Sequence, residues 1–116
     1  MGRRSAEVKR GEIWTQAGGS GYARKPRPVL IVQSDQLLET DSVIICLFTS
    51  HEGSPLPSRL PFAPDAENGL REASDLMVEK IMTVARNKLG KRIGSISAEE
   101  MERVGDAMLV VLGFAG

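Results

Sequence analysis

Cysteine is nearly absent: Cys46 is the only one in 116 residues, and it stands inside an apolar run. A lone cysteine gives neither a disulfide framework nor a thiolate cluster, so a buried, small apolar role is expected. Histidine is as scarce, with His51 alone. One cysteine and one histidine offer no cysteine–histidine metal cluster, and no metal or other cofactor is expected. Aromatic residues make up 4% of the chain, thin for the aromatic groove of a peptide adaptor. No apolar run approaches the roughly 20 residues of a membrane-spanning helix. No signal peptide precedes the first expected strand, so a cytoplasmic protein without a membrane partner is expected. There is also no net charge, since 15 basic residues balance 15 acidic ones. Binding to nucleic acid would therefore have to come from local patches.

Such patches are present. Arg3, Arg4, Lys9 and Arg10 lead the chain, Arg24, Lys25 and Arg27 follow a glycine-rich stretch, and Arg86, Lys88, Lys91 and Arg92 cluster late. The acids sit mostly elsewhere, in Asp65 and Glu67 and in Glu99, Glu100 and Glu102. Apolar residues at 41% and charged residues at 26% are globular values, and the length suits one domain over residues 1–116 with its own core. Residues 1–10 are expected to form a flexible basic arm.

The densest signal is Arg27-Pro28-Val29-Leu30-Ile31-Val32-Gln33-Ser34. Gly18, Gly19, Ser20 and Gly21 make the preceding loop irregular, Pro28 fixes one backbone angle, and the β-branched run predicts a buried strand from about Arg27 to Ser34. Arg27 stands where a loop becomes rigid. A guanidinium there suits a phosphate through two parallel hydrogen bonds, although a solvated arginine at a strand start fits the same residues. Gly11 to Gln16 reads as a short strand in which Trp14 packs. Ser42 to Thr49 reads as a central strand, rich in β-branched residues. It ends in Thr49-Ser50-His51, before a loop with Gly53, Pro55 and Pro57. Asp35 to Asp41 reads as a turn, and Ser58 to Phe62 as an edge strand that tolerates Pro61. Ser74 to Val84 is mixed in pattern: its β-branched content and position suggest a strand, although its periodicity fits a helix as well; Lys91 to Ile96 reads as a short strand. Ser97 with Glu100 is a capping-box pattern, and Met101, Val104, Met108, Val111 and Leu112, with Leu109 beside them, form a helical stripe up to Gly113. The expected architecture is mostly β with α (α+β): a small antiparallel sheet, curled into a barrel and closed by a C-terminal helix.

Gly11-Glu12-Ile13-Trp14, the Arg27-Pro28-Val29 strand, Thr49-Ser50, Gly69-Leu70, Arg86, Leu89 and Ile93-Gly94 together resemble the MazF/PemK family of type II toxin–antitoxin toxins. The resemblance covers roughly residues 8 to 114. It implies a CcdB/PemK-like, SH3-like β-barrel, a homodimer, and metal-independent, sequence-specific cleavage of single-stranded RNA. It also implies a cognate antitoxin, a small acidic protein whose disordered tail lies across the RNA site. Arg27 and Thr49 match the catalytic arginine and threonine of that family. RNA contacts are expected from Tyr22, Arg24, Lys25, Ser50, Glu79, Lys80 and Arg86. The chain departs from the family pattern in two places, with His51 where many relatives have Gln, and Glu79-Lys80 where many have Asp-Gln.

With no metal cluster, cleavage is expected to use the ribose 2′-hydroxyl as nucleophile, which needs a base, an acid and a group to hold developing phosphoryl charge. Arg27 suits the last role and is an awkward base, since a guanidinium stays protonated. Thr49 can donate to a phosphoryl oxygen. His51 either carries a proton, since imidazole titrates near neutrality, or is a bystander in a loop. Tyr22, Arg24 and Lys25 can stack on and neutralise a single strand, or simply be solvated. Three readings follow: a ribonuclease toxin, a toxin of the same fold that inhibits a protein such as gyrase, and a plain adaptor. Arg27 with Thr49 favours the first, and Gly113 to Gly116 carries no signature of the second.

Overall fold

A computed structural model describes residues 7–17, 26–37, 39–51, 53 and 55–116. Tyr22, Arg24 and Lys25 lie outside the described residues, as do residues 1–6 of the expected arm. Of the rest of that arm, Val8 packs against the core and the Arg10 backbone N–H donates to Asp35 at 2.8 Å.

Among the described residues, six strands and one α-helix follow in chain order, with a 3-10 turn (Arg86–Lys88) between the last two strands: β1 (Glu12–Gln16), β2 (Arg27–Ile31), β3 (Ser42–Ser50), β4 (Arg59–Phe62), β5 (Ser74–Ala85), β6 (Leu89–Ser95) and α1 (Ala98–Val111). They form one antiparallel sheet in the order β4-β5-β3-β2-β1-β6. Alternation along β2 and β3 sends successive side chains to opposite faces. One face carries Ile13, Leu30, Cys46, Phe48, Leu76 and Val78, and α1 covers it with Val104, Met101 and Met108. The other carries Trp14, Val29, Ile31, Val43, Ile45 and Val84. Trp14 is a packing residue as expected, and its indole N–H donates to Glu12 at 2.9 Å. Burial pushes the Cys46 thiol up to about 12, with the Glu79 charge acting in the same direction, so it stays a neutral apolar filler.

β2 stops at Ile31, three residues short of the expected end. The backbone N–H groups of Val32 and Gln33 both turn to the Ile44 carbonyl. The buried Gln33 side chain then accepts from Ile44 N–H and donates to Leu37 and Thr40, fixing the turn.

β5 bends sharply. Cys46 pairs with Ile81 but the next residue, Leu47, pairs with Met77, so Val78, Glu79 and Lys80 bulge out of the ladder. Val78 N–H donates instead to the Ser58 carbonyl. The bend lets β5 pair with β4 along its first part and with β3 on both sides of the bulge.

The expected barrel is not closed by a ladder among the described residues: β4 and β6 are the two edges of the sheet. The turn after β4 bridges them. Asp65 and the buried Asn68 cap one another's backbone, and Ser95 N–H donates to the Glu67 carbonyl at 2.8 Å. Two glycines make this docking possible. Gly69 sits at φ +70°, and Gly94 passes so close to Glu67 and Asn68 that no side chain fits.

The capping box at Ser97 and Glu100 is present at the start of α1. At the other end Gly113, at φ +86°, closes the helix by directing Phe114 N–H to the Leu109 carbonyl. The apolar stripe splits in two: Met101, Val104 and Met108 meet the sheet, whereas Leu109, Val111 and Leu112 are exposed with Val110 and Phe114.

Candidate functional site

The sheet face turned away from α1 ends in polar groups. Val29 pairs with Leu47, Leu30 with Cys46 and Ile31 with Ile45. Continued by two residues, this register sets Arg27 opposite Thr49. Both lie on the face of Val29 and Leu47, because alternate residues share a side. Thr49 in turn pairs with Asp75 on β5, so these two side chains stand side by side, and the continued register puts Arg27 in line with them. Arg27 is exposed and Thr49 half-buried. Ser50 pairs with Ser74 and, one residue on, faces the other side of the sheet.

His51 completes the cluster. Its backbone N–H donates to the Ala73 carbonyl at 3.1 Å, which holds the chain beside the start of β5. Its Nδ1 lies 2.7 Å from Oδ1 of Asp75. The two side chains differ sharply in exposure, 47% for His51 and 3% for Asp75. The imidazole thus links a buried carboxylate to solvent. Asp75 was not among the residues expected from sequence. Its signal was an acid directly before the apolar run Leu76-Met77-Val78, and only the β3–β5 register gives that acid its neighbours.

Glu79 and Lys80 occupy the β5 bulge. Lys80 is exposed, but Glu79 is engaged: Ser58 Oγ and Arg59 Nε each donate to it at 2.7 Å, and Arg59 Nη2 lies at 2.6 Å. The Arg59 hydrogen bond, opposed by partial burial and aided by Ser58, brings the Glu79 carboxyl down to about 2. A lowered folded-state value stabilises the fold above the ordinary 4.5 and loses that contribution as pH falls toward 2. Thermal melts of wild type and Glu79→Gln are therefore expected to differ most above this window and to converge at its acid end. A gap that does not change with pH would contradict the pairing.

Arg86 is not brought to this cluster. It follows Ala85, which pairs with Ser42 at the far end of β3, roughly 23 Å along the strand from Thr49. Its Nε donates to the Thr40 carbonyl at 3.1 Å, beside a groove of about 660 Å³ lined also by Asp35, Glu39 and Asp41. Arg92, of the same late basic cluster, pairs with Glu12 at 3.0 Å.

A model of the PemK-like, MazF-like toxins of type II toxin–antitoxin systems matches residues 9–112. A probable endoribonuclease MazF of Mycolicibacterium smegmatis is 39% identical over 109 residues, 94% of this chain and 100% of that protein. Among solved structures, the Mycobacterium tuberculosis toxin MazF-mt6 shares the fold with a TM-score of 0.75 at 23% identity, over 90% of this chain and 99% of that one. An endoribonuclease from Mycobacterial species, solved in complex with its cognate antitoxin, gives a TM-score of 0.72 at 18% identity, over 94% of this chain and 98% of its own. The chain belongs to the family of PemK-like, MazF-like toxins of type II toxin–antitoxin systems.

Proposed function

We propose that this chain is the toxin of a type II toxin–antitoxin pair, an endoribonuclease that cleaves single-stranded mRNA in the cytoplasm and so halts translation and growth. The observation that supports this reading is the β2–β3 register, which, continued two residues past the Val29–Leu47 pair, sets Arg27 opposite Thr49 at the end of the sheet. The 39% identity to a probable endoribonuclease supports it. Arg27 binds the scissile phosphate and holds the charge that grows on its oxygens, and Thr49 donates a hydrogen bond to one of them. The ribose 2′-hydroxyl loses its proton and its oxygen bonds to phosphorus. The bond from phosphorus to the 5′-oxygen then breaks, leaving a 2′,3′-cyclic phosphate and a 5′-hydroxyl. No metal takes part.

Incubating the purified protein with mixed-sequence RNA in excess chelator tests this. Cleavage is expected to persist and to leave those two ends; 5′-phosphate products, or loss of activity on chelation, would overturn the mechanism.

Two partners belong to the reading. One is a small acidic antitoxin whose disordered tail crosses the RNA site, in keeping with the relative solved with its cognate antitoxin. The other is a second copy of the chain. The end of α1 leaves Leu109, Val110, Leu112 and Phe114 exposed, the last by 78%, an apolar patch that association would cover. Light scattering at micromolar concentration is expected to give twice the monomer mass. A monomeric mass would contradict the dimer.

A further inference from the structure

We propose that Asp75 is a positioning residue of this site, holding His51 in the tautomer whose Nε2 takes the proton from the ribose 2′-hydroxyl. The inference rests on the reading that the site cleaves RNA. A carboxylate oxygen only accepts, so at 2.7 Å the neutral ring carries its hydrogen on Nδ1 of His51 and its lone pair on Nε2. The ring fixes Nε2 on the side away from Asp75, and the His51 side chain as a whole is half-exposed. Asp75 itself is 2% exposed. A buried carboxylate is costly unless bonded, so the contact holds both partners. Thr49, directly across the ladder from Asp75, puts the hydrogen-bond donor for the phosphate next to this pair. As the 2′-oxygen bonds to phosphorus, its proton moves to Nε2, and the carboxylate stabilises the imidazolium that forms. The departing 5′-oxygen takes a proton from water.

His51 is the only histidine, so the nitrogen-15 spectrum of the folded protein contains a single imidazole. At alkaline pH the neutral ring is expected to be the Nδ1–H tautomer, and in Asp75→Asn, whose amide can donate to Nδ1, the Nε2–H tautomer. Asp75→Asn is expected to lower kcat by ~10²-fold or more with little change in KM, and His51→Gln to do the same. The double variant should be no slower than His51→Gln alone, because one residue acts through the other. An Nε2–H ring in the wild type overturns the proposal without any variant, and so does additive loss in the double variant. Wild-type rates for Asp75→Asn beside an inactive Arg27→Ala overturn the positioning role and leave the nuclease reading standing. No cleavage by the wild type overturns the nuclease reading itself.

Discussion

Arg27→Ala is expected to slow RNA cleavage by ~10²–10³-fold, the usual cost of removing one preorganised contact to a developing charge. The fold should be unaffected. Arg27 is the first residue of β2, is exposed, and belongs to neither apolar cluster. Its ladder partner Gln16 is held through the backbone, which the substitution keeps. Thr49→Ala should cost less, because a hydroxyl donates one neutral hydrogen bond where a guanidinium offers two with charge. Arg27→Lys separates the two contributions, since it keeps the charge and loses the planar fork. Rates on one defined oligonucleotide, with circular dichroism of each variant, check all three. An unfolded Arg27→Ala would make the residue structural, and a fully active one would remove it from the site.

The largest loss of stability is expected far from that site, at Gly94→Ala. A Cβ there would stand 2.3 Å from the Glu67 carbonyl oxygen and 2.4 Å from the carbonyl of Asn68. Both obstacles are backbone, so neither can rotate aside. The turn must lift off β6, which breaks the Ser95 to Glu67 hydrogen bond and uncovers Asn68, now 1% exposed. Asn68 would then leave its bonds to Ala63, Asp65 and Leu70 strained or open. Overpacking of this kind costs ~3 kcal/mol or more, which for a domain of this size lowers the melting temperature by ~10 °C. Gly105→Ala on α1 is the control, because among the described residues nothing beyond its own helix turn lies within 4 Å of its added methyl. A Gly94→Ala protein that melts with the wild type would mean that the turn is not docked in solution.

Most of the architecture could be read from the residues. The β-branched runs at Val29 and Val43 fix β2 and β3, and Ser97 with Glu100 fixes the start of α1. β5 resisted a clean reading for a physical reason. Three residues bulge between Met77 and Ile81, and an odd insertion swaps which alternate positions face which side. Leu76 points to the helix side before the bulge, Val78 at its start and Ile81 after it, so no single period of two runs through the segment. The same fact hid Asp75. Its place beside Thr49 and His51 depends on a pairing between strands more than twenty residues apart, which no local pattern encodes. Arg27 and Thr49 were legible through family resemblance and lie together. Glu79 is bound to Arg59, a partner set by the β4–β5 pairing that no local pattern shows.

The two faces of the sheet have a genetic consequence. The helix covers one side while Arg27, Thr49 and Asp75 stand on the other, so losing the poison and losing the protein are separable events. Cells that survive forced expression of this chain should carry lesions of two kinds. Changes at Arg27 or Thr49 should leave full levels of a harmless toxin that still titrates its antitoxin, and in a strain with an intact toxin copy that titration would free the active toxin. Changes at Val104 or Gly94 should leave nothing for the antitoxin to bind and be silent in that strain. Site lesions would therefore be dominant over an otherwise balanced toxin–antitoxin pair, and core lesions recessive.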